Sequence, residues 1–419
     1  MTRRRLGSLL LLFASAWSAP LGSLLAITVT GDRLLGLAAL AVLVVLGVRG
    51  RLRWTGVHTA LAIFVCAQLL TTAVNARTWP QGLKFVTVYL LGFGCFALAA
   101  ECTRGIDGQR WTMKVWIAVA VVASVVGTVL ADLSNLYQQP LWGTGAAQLL
   151  FPDTAYERIL YGAKVTFNEW NLFGSFLLIP FALGLWAWRG DGGRQWPLVA
   201  ALGAIEFGLV ATVTRAAWVG MAGLIALWWT LRRPRWRPVS VLAAMLAAAF
   251  LLQALTVGAM PLWSRIFEQR TNIAHRSAIN RVTLDSWIGR PTPGQAERPP
   301  APAPSWLLGH GAGSVNSLPP VIVPEGRILK VWTGNVVLFV LHDSGLVGLT
   351  ALVGLLVVVV CRAARAMRRG DGASGLTVPL LASGVALCFA YQFTHGLWLM
   401  YPYVYLGFLT AATETEKLP

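Results

Sequence analysis

Apolar runs recur from one end of this chain to the other, most of them long enough to cross the ~30 Å hydrocarbon layer of a bilayer as a helix. Twelve spans can be drawn, at about 7–29, 32–48, 55–75, 80–101, 112–131, 167–188, 196–212, 215–231, 238–260, 333–360, 374–394 and 396–413. They are solid apolar blocks rather than short alternating segments, which excludes a membrane β-barrel. Of the 419 residues, 56% are hydrophobic and only 12% are charged. A soluble domain carries about 25% charged residues, so this chain has too little polar surface to coat a water-soluble core. The same figures exclude intrinsic disorder. The expected fold is an all-α polytopic membrane protein of about twelve transmembrane helices with one large, partly helical outer loop.

Arginine placement orients the chain. The block 196–231 is too long for one span at about 1.5 Å per residue, with Arg189 and Arg194 before it and Arg232, Arg233, Arg235 and Arg237 after it. Both ends therefore belong to the cytoplasm, which makes the block a hairpin with its outer tip near Arg215. With an internal N-terminus, the cytoplasmic segments hold 20 of the 34 Lys and Arg residues, and eight of the others fall in one outer segment, 261–332. Short loops set orientation while long ones translocate regardless of charge, so both termini are expected in the cytoplasm. Met1–Arg5 before an apolar run imitates a signal peptide, but eleven further spans favour a retained first helix. The net charge of +17 would direct a soluble protein to nucleic acid. Divided across a bilayer it does not, and no nucleic-acid partner is expected. The five cysteines, Cys66, Cys95, Cys102, Cys361 and Cys388, show no paired spacing and are expected as small buried residues.

One integrated domain is expected, with nine helices in 1–260, the large extracytoplasmic loop in 261–332 and three helices in 333–419. A shorter outer loop occupies about 132–166. The large loop opens with an expected helix at 263–288, where Trp263, Ile266, Phe267, Ile273, Ile279, Val282 and Trp287 form a loose apolar stripe. Residues 290–304 contain six prolines in fifteen positions, the composition of an extended linker.

Four groups of residues invite a chemical reading. The strongest is cationic: Arg215 stands at a span end in Ala211–Trp218 (ATVTRAAW), and the outer helix adds Arg265, Arg270, Arg276 and Arg281. Arg270 and Arg281 are eleven apart, which at about 100° per residue returns them to one face. Guanidinium is a fixed donor fork suited to phosphate oxygens. A solvated face, or pairing with Glu268, Asp285 or Glu297, is the plainer explanation for any single loop arginine. Second, Trp306–Ser314 (WLLGHGAGS) contains His310 among three glycines at alternate positions. Such spacing permits a tight turn whose N–H groups point at an anion. Third, Asn335 starts the next span, with His342 seven residues deeper on the same face and Asp343 beside it. Ionisable residues inside a span are costly and often functional, although a polar helix–helix contact explains them equally. Fourth, Asn168, Glu169 and Asn171 in Thr166–Ser175 (TFNEWNLFGS) suit hydrogen bonds to a sugar, or a helix cap.

Taken in order, TFNEWNLF, TVTRAAW, the basic helix with RVTLDSW leading to WLLGHGAGS, and GNVVLFVLHDSGLVGL resemble the O-antigen ligase and polymerase superfamily. These are bacterial membrane glycosyltransferases that use polyprenyl-diphosphate-linked glycans. The motifs cover about 165–350, and span count and loop placement cover the rest. The resemblance implies a fold like that of the C class of membrane glycosyltransferases in the bacterial inner membrane. Its site would lie at the outer leaflet, taking a polyprenyl-diphosphate glycan as donor and a carbohydrate, lipid or protein as acceptor. It further implies that Arg215 and Arg281 hold the diphosphate. The family usually has His-Asn at the start of the next span as its base, whereas here the pair is Gly334-Asn335. His342, Asp343, His310 or Glu169 remain as bases. No Asp-x-Asp or carboxylate cluster occurs in the outer loops, so neither a divalent metal nor another cofactor is expected. A ligase and a polymerase are not separated by these motifs. A transporter or flippase of lipid-linked sugars and a non-catalytic scaffold are the rivals from other classes.

Overall fold

The computed structural model describes residues 3–18, 20–24, 27–50, 52–75, 79–142, 144–149, 158–167, 169–188, 195–232, 236–257, 270–290, 304–318, 320–322, 328–329, 333–369 and 375–414. Its helices are α1 (Arg3–Ser15), α2 (Gly31–Val48), α3 (Gly56–Asn75), α4 (Trp79–Cys102), α5 (Ile106–Tyr137), α6 (Trp170–Ala187), α7 (Trp196–Ala211), α8 (Arg215–Arg232) and α9 (Trp236–Val257). Then follow α10 (Arg270–Trp287), the single turn α11 (Ser305–Leu308), α12 (Val336–Arg368), α13 (Thr377–Ala390) and α14 (Tyr401–Ala412). Seven of them, α2, α3, α4, α5, α6, α9 and α12, are long and apolar enough to cross a membrane. The chain is a helical membrane protein. The remaining expected spans coincide with α1, α7, α8, α13 and α14, which are shorter or less apolar.

Three two-stranded antiparallel hairpins qualify the all-α expectation: β1 (Pro20–Leu24) with β2 (Ile27–Thr30), β3 (Thr144–Leu149) with β4 (Arg158–Ala163), and β5 (Val321–Ile322) with β6 (Ile328–Leu329). The first of them corrects the span expected at 7–29. Pro20 lacks an N–H and disfavours helix in the residue before it, and Thr28-Val29-Thr30 is β-branched, so α1 stops at Ser15. The fifth span is corrected in the other direction. Helix α5 continues past the apolar block that ends at Ala131 to Tyr137, because the polar side chains interspersed there are satisfied. Asp132 accepts from Gln253 Nε2 at 2.7 Å and Thr256 Oγ1 at 3.1 Å, and Asn135 Nδ2 donates to the Tyr161 carbonyl at 2.8 Å.

The chain forms two compact units, each assembled from three separate stretches. One comprises Met1–Gly31, Arg104–Gln269 and Gly372–Ala390. Its core is α6, buried along almost its whole length by α5, α7, α8 and α13. The other comprises Asp32–Thr103, Arg270–Asp371 and Tyr391–Pro419. Here α12 packs on α3 and α4 packs on α14. Small residues let the second pair approach: a methyl group at Gly407 would stand 2.3 Å from the Phe96 carbonyl oxygen, the close packing that holds helices together in lipid. No disulfide joins the five cysteines, and only Cys95 and Cys102 are buried; Cys66, Cys361 and Cys388 lie on helix surfaces, contrary to expectation. In lipid an exposed thiol on an apolar helix costs little, which is why sequence context did not distinguish them.

Candidate functional site

The expected site residues divide between the units. Asn168 lies outside the described residues, as does the side chain of Arg270.

In the second unit, the glycine-rich turn folds down onto the beginning of α12. Gly309, Gly311 and Gly313 all have positive φ (63°, 89° and 74°), a region closed to most side chains. Their backbone is pinned by His310 N–H to the His342 carbonyl and Gly311 N–H to the Asp343 carbonyl, both 2.9 Å. Helix α12 makes room by breaking at Gly345, whose φ of 61° interrupts the helix. A methyl group there would meet the Leu307 carbonyl oxygen at 2.2 Å. The turn does present N–H groups to an anion, and the anion is internal. Asp343 accepts from Gly313 N–H at 2.6 Å, Val315 N–H at 3.1 Å and Ser314 Oγ at 3.0 Å.

His342 continues this network. Its Nδ1 lies 3.1 Å from Ser314 Oγ and its Nε2 lies 3.1 Å from Ser286 Oγ on α10. Ser314 gives its own proton to Asp343, so it must accept from His342 Nδ1–H, which leaves Nε2 to accept from Ser286. His310 Nε2 donates to the Ser286 carbonyl at 3.0 Å. Ser286, His342, Ser314 and Asp343 thus form one relay, which approaches the connectivity of a nucleophile–base–acid triad because His342 Nδ1 also lies 3.5 Å from Asp343 Oδ1. Ser286, His342 and Asp343 are only 7%, 1% and 0% exposed, and both His342 nitrogens are engaged within the protein. This is a sealed polar knot that fixes α10 and the turn to α12. Ser286 and Ser314, which complete it, were not singled out from sequence. The signal for them was the burial cost of Asp343, whose donors had to come from somewhere.

The start of α12 is held in a related way. Asn335 caps the helix, its Oδ1 accepting from Val337 N–H at 3.0 Å and Leu338 N–H at 3.1 Å, while its Nδ2 donates to Gln392 Oε1 at 3.2 Å. Arg276 Nη1 donates to the Phe393 carbonyl at 2.6 Å. Gly334 faces that same backbone: a methyl group would come within 2.3 Å of the Phe393 oxygen, so any side chain here requires the backbone to shift. Nearby His395 is 1% exposed and stacks on Phe339 with centroids 4.0 Å apart. Burial pushes its imidazole down to about 3, so it contributes no cation. Arg281, in contrast, is 85% exposed and only loosely associated with Asp285 (3.9 Å).

In the first unit, the motifs TFNEWNLF and TVTRAAW meet. Helix α7 ends at Ala211 and α8 begins at Arg215, so Thr212–Thr214 form the turn. Thr214 Oγ1 donates to Asn171 Oδ1 at 3.1 Å, and Glu169 stands at the N-cap of α6 without using its side chain as a cap. Gly174 allows α6 to approach, since a methyl group there would touch Ala217 at 2.9 Å. Within the turn Val213 has φ 52° and is 1% exposed. A buried β-branched residue in the left-handed region is strained by about 1–3 kcal/mol. The turn delivers Arg215, half-buried, to the first turn of α8, where outward N–H groups and the helix dipole favour negative charge. Among the described residues no hydrogen bond or ion pair engages its guanidinium.

No protein-family model matches the chain, and no curated protein matches it significantly.

Proposed function

We propose that this protein is a glycosyltransferase of the bacterial cytoplasmic membrane, resembling the O-antigen ligases. It moves a glycan from a polyprenyl diphosphate to an acceptor hydroxyl on the outer face. On this reading α1, α7, α8, α13 and α14 join the seven long helices as twelve spans of a C-class glycosyltransferase fold, with both termini cytoplasmic. The observation that carries it is Arg215, a half-buried cation at a helix N-terminus with no partner among the described residues. The acceptor oxygen bonds to the anomeric carbon, the bond to the diphosphate oxygen breaks, and the charge gathering on the departing polyprenyl diphosphate is what a preorganised guanidinium stabilises. The acceptor proton leaves to water or to a phosphate oxygen. We assign His342 to positioning, because both its nitrogens are already bonded.

The test is to reconstitute purified protein with a labelled polyprenyl-diphosphate glycan and follow the release of polyprenyl diphosphate. Acceptor-dependent release is expected, with Arg215→Ala expressed normally but impaired. Movement of the intact donor across the bilayer without release would make the protein a flippase and end this reading.

A further inference from the structure

A second cationic cluster lies in the second unit, built from residues that the candidate site does not use. A cavity of about 390 Å³ is lined by Arg53, Trp54 and Thr55 from the segment before α3, by Arg362, Arg365, Ala366 and Arg369 at the end of α12, and by Thr413 and Glu414 after α14. That volume falls within the ~300–1,000 Å³ of small-molecule pockets. Residues 362, 365 and 369 repeat at helical spacing, so one face of α12 points three guanidiniums into it. Arg362 forms the built part: its Nε donates to Thr413 Oγ1 at 2.8 Å, and its Nη2 lies 3.5 Å from Glu414 Oε1. Arg362 and Glu414 are half-buried (26% and 20% exposed), and Thr413 is buried. Arg365, Arg369 and Arg53 are exposed at the rim.

Four guanidiniums meet one carboxylate in the lining, an excess of three positive charges. The C-terminal dipole of α12 offsets about half a charge, and Glu101, outside the lining, accepts the backbone N–H of Arg53 at 3.2 Å. The surplus calls for an anion of more than one charge, and the planar fork of arginine matches phosphate oxygens. The surroundings indicate where the phosphate comes from. The cavity sits where the membrane-length helices α3 and α12 terminate. Trp54, 55% exposed, stands at its rim like the aromatic side chains that mark bilayer interfaces. Val357 and Val360, exposed within two turns before Arg362, offer apolar surface to acyl chains.

We propose that this cavity binds the phosphate groups of an anionic phospholipid headgroup, with a free polyphosphate anion as the alternative source of the same chemistry. Basic pockets between transmembrane helices hold such headgroups. The inference is independent of the glycosyltransferase reading.

The test uses delipidated full-length protein in neutral detergent. Cardiolipin, phosphatidylglycerol, phosphatidylcholine and inorganic pyrophosphate are titrated separately, with the unfolding midpoint and bound lipid by native mass spectrometry as readouts. Cardiolipin should bind and raise the midpoint, phosphatidylglycerol less so and phosphatidylcholine least. Replacing both rim residues, Arg365→Ser with Arg369→Ser, should weaken cardiolipin at least tenfold. Glu414→Gln, which removes the competing carboxylate, should tighten it severalfold, a sign that a misfolded variant would not produce. Binding of pyrophosphate with no lipid effect, weakened by the same double substitution, would move the source to a soluble anion and overturn the lipid assignment. Cardiolipin binding unchanged in both variants would overturn the site.

Discussion

The Arg215 corner of the first unit and the Gly309–Ser314 turn of the second both present donors suited to an anion, and they differ in what those donors already hold. In the turn, Gly313 N–H, Val315 N–H and Ser314 Oγ converge on the Asp343 carboxyl, which is fully buried. In the corner, the guanidinium has no partner among the described residues, and the turn that delivers it is strained at Val213. A satisfied polar network rigidifies a fold, whereas an unsatisfied preorganised cation is available to a ligand. The glycine-rich motif is therefore architecture, and Arg215 is the residue on which the proposed chemistry rests.

The largest effect expected from this contrast is on stability. Asp343→Ala leaves two buried N–H groups and one hydroxyl without their acceptor, at about 1–3 kcal/mol each. A total loss of about 3 kcal/mol or more should appear as a large drop in the unfolding midpoint in detergent. A variant that melts like the parent but has lost turnover would reverse the comparison, making the turn a ligand site.

Arg215→Ala should do the opposite, with an unchanged midpoint and a rate lowered by about 10- to 150-fold, the equivalent of the ~1.5–3 kcal/mol of a charge-assisted contact. Arg215→Lys keeps the charge but loses the fork, and should fall between the two. The same pair of measurements on Arg281, which is 85% exposed beside Asp285, separates a second phosphate ligand from a solvated surface cation. A rate unchanged in Arg281→Ala assigns it to the surface.

Some of this was legible in the sequence and some was not, for identifiable reasons. The arginines flanking 196–231 placed a hairpin tip near Arg215, and the turn falls at Thr212–Thr214, because charge on both flanks and a fixed rise per residue leave few alternatives. Hydropathy did not reveal where the first helix stops, since the residues of β1 and β2 are as apolar as a span. Nor did it carry α5 to Tyr137, because the polar residues of its last turns are satisfied by α9 and β4, far away in sequence. The alternating glycines correctly signalled a turn with convergent N–H groups. That the anion was Asp343, some thirty residues on, depended on tertiary packing. Gly334 before Asn335 was visible in the sequence, but the Phe393 carbonyl packed against it was not.

That last contact yields the third test. Gly334→Ala introduces a methyl group 2.3 Å from a backbone oxygen, and relief requires a backbone shift costing about 1–3 kcal/mol. Gly334→His should be worse and should not raise turnover, although it creates the His-Asn pair of the family that the motifs resemble. A stable, faster Gly334→His enzyme would show that this corner yields easily and belongs with the open region rather than the sealed one.

The smallest effect is expected at Asn335, and it decides whether the start of α12 is architecture or site. Its Oδ1 is committed to the amides of Val337 and Leu338 and its Nδ2 to Gln392, so the side chain has little left with which to meet an acceptor. Removing an N-cap costs about 1 kcal/mol, and Asn335→Ala should lower the unfolding midpoint slightly while turnover stays within a few-fold of the parent. Asn335→Asp and Asn335→Ser keep a capping oxygen and lose the bond to Gln392, so they separate the two roles. If capping is what matters, both recover the midpoint. A rate loss in Asn335→Asp or Asn335→Ser as large as that of Arg215→Ala, with the midpoint intact, would place Asn335 in contact with substrate and make the start of α12 a site rather than architecture.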